Sequence, residues 1–206
     1  MTETPYVREP GYALRYRDER FHSGSGAATD RRERAVLRSL LREAAPPPGP
    51  WLDVPSGAGR MSDELPGDTV QVDRDPAMVA ACPGARPRLC ASVHHLPFAD
   101  GRFAGVLCHR LLQHIATPAE RIDILRELRR VSVGVLVVSF FDACSLQHLR
   151  RRVRRWLGKN RSGRSSVSRR AFLAELRAAG WQPVRAVALR RFVGEQTLVL
   201  CRAGTS

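Results

Sequence analysis

No run of 18 apolar residues occurs in this 206-residue chain, and no charged-then-apolar stretch opens it. The sequence therefore predicts neither a membrane span nor a signal peptide. Cysteine pairing is missing too. Cys82, Cys90, Cys108, Cys144 and Cys201 are odd in number, scattered, and form no Cys-x-x-Cys pair. That pattern argues against a disulfide framework or a zinc site and fits a reducing, cytoplasmic setting. Lysine is nearly absent, with Lys159 alone among arginines. This bias is compositional and is not read as a functional signal.

Acidic residues are missing from one region only. Residues 145–170 hold ten Lys or Arg and no Asp or Glu, whereas the remainder holds 24 basic and 20 acidic residues. The net charge of +14 thus belongs to one segment and not to the fold. With 43% hydrophobic residues, the chain is long enough for one domain with a real core.

Residues 1–28 show no sustained period and contain Tyr12, Tyr16, Phe21 and the glycine-serine run 23–26. They read as a leader, or a lid with Tyr16, Arg20 and Phe21 over the domain at 29–206. A helix is expected over 29–44, with Val36, Leu37, Leu40, Leu41 and Ala44 inward. The proline run 46–50 stops it. Short strands are expected at 51–54, 69–73, 88–93 and 103–108, with brief helices near 61–65 and 76–81. Thr117-Pro118-Ala119-Glu120 is a capping box that opens a helix with Ile122, Leu125, Leu128 and Val131 inward. Residues 133–141 form the most continuous apolar β run and belong inside a sheet covered on both faces. A helix capped by Ser168 and a closing antiparallel hairpin at 182–189 and 197–201 complete the pattern. Strands alternating with helices predict an α/β, three-layer fold with antiparallel pairing at the C-terminal edge.

The chemistry gathers at Trp51-Leu52-Asp53-Val54-Pro55-Ser56-Gly57-Ala58-Gly59-Arg60. An apolar strand runs into a glycine turn, and a second strand closes about 20 residues later on Asp73, placed to accept ribose hydroxyls. This is a nucleotide-type pocket. A dinucleotide site would want a third glycine where Ser62 stands and a longer helix behind the turn, which counts against a nicotinamide oxidoreductase.

Leu52-Asp53-Val54-Pro55-Ser56-Gly57-Ala58-Gly59-Arg60 resembles the first motif of class I S-adenosylmethionine-dependent methyltransferases, especially the L-D-V-P-C-G-T-G-R subgroup. Four segments follow in the family's order: 72–78, 92–103, 108–115 and 126–131. The resemblance implies a Rossmann-like seven-stranded, mostly parallel sheet with an antiparallel C-terminal strand. It implies S-adenosylmethionine as cofactor, its methionine part near Asp53, Pro55, Gly57 and Gly59. Asp73 would hold the ribose, with Arg74, Met78, Ser92 and Val93 beside the adenine. His109 would face the reactive methyl and is the catalytic candidate. Three positions depart from the pattern: Ser92 and Ala104 replace aspartates, and Pro55 replaces the first glycine.

Other residues carry competing readings. His94 and His95 are adjacent in a loop and read as solvated, with no metal site implied; His114 reads as structural. Cys108 and Cys144 read as buried small apolar residues. Asp142 either meets substrate or caps the next helix. The insertion at 143–167 has Leu146, Leu149, Val153, Trp156 and Leu157 on one helical face, with Arg150, Arg151, Arg152, Arg154 and Arg155 around the other. It reads as a cover over the active site, with Arg150, Arg151 and Arg154 as candidate anion binders. An anionic lipid at the inner membrane surface or another phosphate-bearing substrate ranks above nucleic acid, because no base-stacking aromatic cluster accompanies the arginines. The function expected is methyl transfer to an unidentified small-molecule or lipid-like acceptor. The rivals are an RNA methyltransferase and a non-catalytic module that keeps the fold for its basic helix.

Overall fold

The computed structural model describes residues 11–148, 150, 165–190 and 193–204. Its helices are α1 (Tyr12–Asp18), α2 (Gly24–Ala44), α3 (Pro76–Ala81), α4 (Pro118–Val131) and α5 (Arg169–Ala178). Its strands are β1 (Trp51–Asp53), β2 (Val70–Asp73), β3 (Arg88–Cys90), β4 (Phe103–Cys108), β5 (Ser132–Phe141), β6 (Trp181–Ala188) and β7 (Gln196–Ala203). They form one sheet in the order β3-β2-β1-β4-β5-β7-β6, every pair parallel except those of β7.

Two-residue periodicity explains why β4 and β5 read as unbroken apolar runs. Leu107, Val135 and Val137 face one layer, with Leu37, Leu40 and Ala44 of α2. Val106, Cys108, Leu136 and Val138 face the other, with Ile124, Leu125 and Leu128 of α4 and Phe172 and Leu176 of α5. Both faces of β4 and most of β5 are covered, so neither alternate set is polar. Phe140 stacks on Phe172 with ring centroids 4.2 Å apart, fastening β5 to α5.

Local chemistry sets the helix ends. Asp75 accepts from the Ala77 amide, Thr117 from Glu120 and Ser168 from Ala171, each satisfying an otherwise orphaned donor. The crossover from β1 to β2 holds only a single 3-10 turn, Ser62–Glu64, as its short length requires.

The expected antiparallel pairing at the C-terminal edge is present, with β7 lying between β5 and β6. Three expectations are corrected. Helix α2 begins at Gly24, not residue 29: Gly26 is there for close approach, since a Cβ would stand 2.2 Å from the Arg20 carbonyl oxygen. Ile124, and not Ile122, lies fully buried in α4, because the helix presents 121, 124, 125 and 128 to the core. Cys144 is exposed, whereas Cys108 is buried as expected. It sits in the turn after β5, where no layer covers it.

One buried ion pair joins the two helices of the second layer. Arg121 donates to both Glu175 oxygens, at 2.8 and 2.6 Å, and also to the carbonyls of Ile115 and Ala116. Removing one member strands the other charge in the core. Arg121→Met is expected to destabilise the protein by about 3–5 kcal/mol, read as a lowered midpoint in urea unfolding.

Candidate active site

The order of the sheet reverses between β1 and β4: the chain moves outward to β2 and β3, then returns to β4 and β5 on the other side. Open α/β sheets bind ligands in the crevice at the carboxyl ends of strands at such a point. The turn after β1 and the segment His109-Arg110 after β4 both end there.

The turn is held from below and from the side. Gly57 has φ +55° and Gly59 φ +75°, values that favour glycine. A Cβ on Gly57 would meet nothing within 4 Å, so open space adjoins it; one on Gly59 would come within 2.9 Å of Gln71 Nε2. The Gly57 amide donates to Asp73 Oδ2 at 2.9 Å, and Asp73 Oδ1 accepts from the Asp75 amide at 2.9 Å. Asp73 thus ties the glycine turn to the end of β2 with its carboxylate fixed in orientation.

Beneath the turn, Ser62 Oγ donates to Asp53 Oδ2 at 2.6 Å and accepts from Gln71 Nε2 at 2.7 Å. Ser62 is therefore more than an interrupted glycine pattern: its hydroxyl satisfies a buried carboxyl. Burial, aided by the nearby charge of Asp73, pushes the Asp53 carboxyl up to about 7.

At the other lip, His109 is buried, with Nε2 3.3 Å from Glu33 Oε1 and 3.4 Å from Gln196 Nε2. Glu33 of α2 is fully buried. It accepts from Arg60 Nη2 at 2.7 Å and from Arg110 Nε and Nη2 at 2.8 and 2.6 Å. Burial alone would raise its carboxyl, but His109, Arg110 and Arg60 outweigh it and hold Glu33 well below the usual carboxylate range. Burial pushes His109 down, against the pull of Glu33. Held below the ordinary imidazole value by burial, the histidine is neutral at neutral pH. Phe21 lies buried under this cluster, its ring 4.1 Å from the Arg60 guanidinium and 5.2 Å from that of Arg110.

The other residues singled out in the sequence are placed as follows. Pro55 follows a cis peptide bond and is half-buried. Met78 is buried with Ala13, Ala58 and Ala81, so α1 covers it; Arg74 is exposed. Ser92 and Val93 are half-buried, and Ser92 Oγ accepts from the His94 amide at 3.4 Å. Asp142 accepts from the Cys144 amide at 3.0 Å and lies 3.3 Å from Arg169, so its carboxylate closes the turn after β5. His94 lies 3.6 Å from Glu120, and His95 and His114 are exposed. Arg150 is exposed; Arg151, Arg152, Arg154, Arg155 and the side chain of Tyr16 lie outside the described residues. Among the described residues, no group of three or more His, Cys, Asp or Glu side chains is arranged to hold a metal ion.

Glu33, Arg60, Arg110 and Ser62 carry the site's electrostatics without having been singled out as its residues. Glu33 had one visible signal: it falls on the same α2 stripe as Leu37, Leu40 and Ala44, an acid where the period calls for an apolar residue. A groove of about 1080 Å³ lined by Asp100, Arg126, Arg129, Arg130, Arg177 and Trp181 lies at the opposite, amino-terminal end of β4 and β5. Arg129 there holds the Ser132 and Gly204 carbonyls, and Arg130 pairs with Glu127 and Asp100. Those arginines close the fold, and the crevice remains the candidate site.

Residues 52–138 match the family described as a methyltransferase domain. Comparison with curated proteins finds no significant match. Among solved structures, magnesium protoporphyrin IX methyltransferase from Synechocystis, with bound S-adenosylhomocysteine, is similar at a TM-score of 0.73 and 12% identity, covering 93% of this chain and 98% of that one. An S-adenosylmethionine-dependent methyltransferase from Clostridium acetobutylicum has a TM-score of 0.69 and 11% identity, covering 93% and 97%. Another from Methanosarcina mazei has a TM-score of 0.66 and 15% identity, covering 81% and 98%. The sheet order and crevice define a Rossmann-like α/β protein of the methyltransferase kind. With the domain match over residues 52–138, the chain is similar to the class I S-adenosylmethionine-dependent methyltransferases and shares their fold.

Asp53 makes the site pH-sensitive. Its folded-state value of about 7 lies above the unfolded value of about 4, so between them the native state keeps a proton that the unfolded chain has released. Stability falls as pH rises through that window, and the penalty is complete above it. Asp53→Asn is expected to gain stability relative to the native protein, by a few kcal/mol at most, as pH rises from about 4 to 7, then to level off. Denaturant unfolding across that pH range measures it.

Proposed function

We propose that the chain transfers a methyl group from S-adenosylmethionine to an unidentified small-molecule or lipid-like acceptor. The observation that carries this reading is the bond from the Gly57 amide to the Asp73 carboxylate at the sheet's reversal point. It presents a glycine turn with open space beside it next to an oriented acid. The residues fit the cofactor. Asp53, Pro55, Gly57 and Gly59 would hold its methionine part and Asp73 its ribose hydroxyls. Arg74, Met78, Ser92 and Val93 would border the adenine, with His109 at the floor. The bound cofactor supplies an activated methyl, so the protein's task is alignment and exclusion of water. Ser92 offers a hydroxyl already engaged by the His94 amide, a weaker adenine partner than an aspartate.

The basic segment bears on the acceptor. Its helix begins at Leu146, directly after the turn closed by Asp142 at the carboxyl end of β5, on the crevice side of the sheet. Its arginines favour an acceptor with a phosphate or another anionic group, including a lipid headgroup. No helix among the described residues is long and apolar enough to cross a membrane. The reading places the enzyme in the cytoplasm, in solution or peripherally at the inner membrane surface. The division into a covering segment at 1–28, a domain at 29–206 and an insertion at 143–167 belongs to the same proposal. A non-catalytic role for the basic helix is the second reading, favoured by Ser92.

Calorimetric titration with S-adenosylmethionine or its demethylated product tests the proposal. Binding is expected in the native chain and about 10- to 100-fold weaker in Asp73→Ala, which loses a charged acceptor. Gly57→Arg, which fills the space beside the turn, is expected to abolish it. Absence of heat with both ligands in the native chain overturns the reading.

A further inference from the structure

The His109 ring is bonded on one side only. Nε2 faces Glu33 at 3.3 Å and the Gln196 side-chain amide at 3.4 Å, while Nδ1 is buried and has no hydrogen-bond partner. A buried polar atom without a partner is uncommon enough to need a reason. The proton is assigned to Nε2, because the ionised Glu33 carboxylate there can only accept, and the Gln196 amide then turns its oxygen rather than its nitrogen toward that N–H. That leaves Nδ1 as a bare lone pair, an acceptor awaiting a donor.

The backbone is bent to achieve this. Consecutive residues leaving a strand point to opposite faces, yet His109 and Arg110 both reach Glu33. Arg110 has φ +60°, unusual for a residue with a side chain, and its amide donates to Ser139 Oγ at 2.7 Å. Strain held in place by several bonds marks positions built for a task. Asp53 pairs in register with Leu107, so His109 lies two residues further along, at the mouth of the crevice.

We propose that His109 Nδ1 accepts the proton of the methyl acceptor's nucleophile and that Glu33 is the positioning residue that sets the ring's tautomer and steadies the imidazolium. This rests on the methyltransferase reading above. As the acceptor's lone pair bonds the methyl carbon, the carbon–sulfur pair leaves with sulfur and the nucleophile's proton passes to Nδ1. The substrate class follows: the nucleophile carries a proton at neutral pH, as a hydroxyl or an N–H does, whereas a tertiary amine or a thioether has none to give. The charged groups around the ring are Glu33 of α2, Arg60 beyond β1 and Arg110 beyond β4. Burial, reinforced by the two cations, keeps His109 neutral in the resting site, as a base must be.

The test is histidine-detected nitrogen NMR on the full chain, with His109 assigned by comparison with His109→Asn. At neutral pH the native spectrum is expected to show a neutral ring protonated on Nε2. An Nδ1-protonated or charged ring overturns the proposal, and this arm needs no variant of Glu33. In Glu33→Gln the titration midpoint is expected to move to lower pH by about one unit or more, and Glu33→Asp to restore it in part. An unchanged midpoint in Glu33→Gln also overturns it. Titration with S-adenosylhomocysteine on the same sample separates the two levels: no binding removes the methyltransferase reading, whereas binding with the wrong tautomer removes only the dyad.

Discussion

A carboxylate with no exposure to water organises this molecule. Glu33 sits in the middle of α2, on the face that packs against the sheet, where an unpaired charge would cost several kcal/mol. Its partners come from two different turns, Arg60 beyond β1 and Arg110 beyond β4. Satisfying one buried charge therefore draws both lips of the crevice toward α2. Arg60 also pairs with Asp30, and Asp30 with Arg34, so the network spreads along the helix surface. Phe21 packs beneath the same two guanidinium groups and brings the N-terminal segment with it.

The second constraint is the covering of the central strands β4 and β5 on both faces. β4 and β5 are apolar at nearly every position because helices cover each side. A sheet of this kind leaves only its strand ends for polar chemistry. At those ends the backbone is short of room. The link from β1 to β2 has space for one 3-10 turn, so no long helix stands behind the glycine turn. Ser62 occupies that turn, and its hydroxyl satisfies Asp53 and Gln71 together. The same shortness that disfavours a pyrophosphate produces the buried chain under the crevice.

Much of the architecture was legible in the residues. β4 falls at 103–108 because its burial on two faces leaves an uninterrupted apolar run. The starts of α3, α4 and α5 follow from Asp75, Thr117 and Ser168, since capping is a contact between near neighbours. The glycine turn and Asp73 were legible because glycine at positive φ and an acid at a strand end are local signals. Less was visible where a contact spans the fold. Gly24 to Gly26 looked like flexible chain, yet the helix runs through them because Gly26 packs on the Arg20 carbonyl. Cys144 looked like core and lies exposed, because a cysteine's burial depends on what covers it.

The sequence by itself determined the order of elements, the helix caps, the class of the crevice and the segment that carries the charge, all through periods and neighbours within a few residues. Tertiary structure alone decided that Glu33 meets Arg60 and Arg110 across 27 and 77 positions of chain. It decided that β7 slips between β5 and β6, and that one nitrogen of His109 is bonded and the other bare. Charge pairing and strand order are properties of space, set by which surfaces the folded layers bring together. No local pattern encodes them.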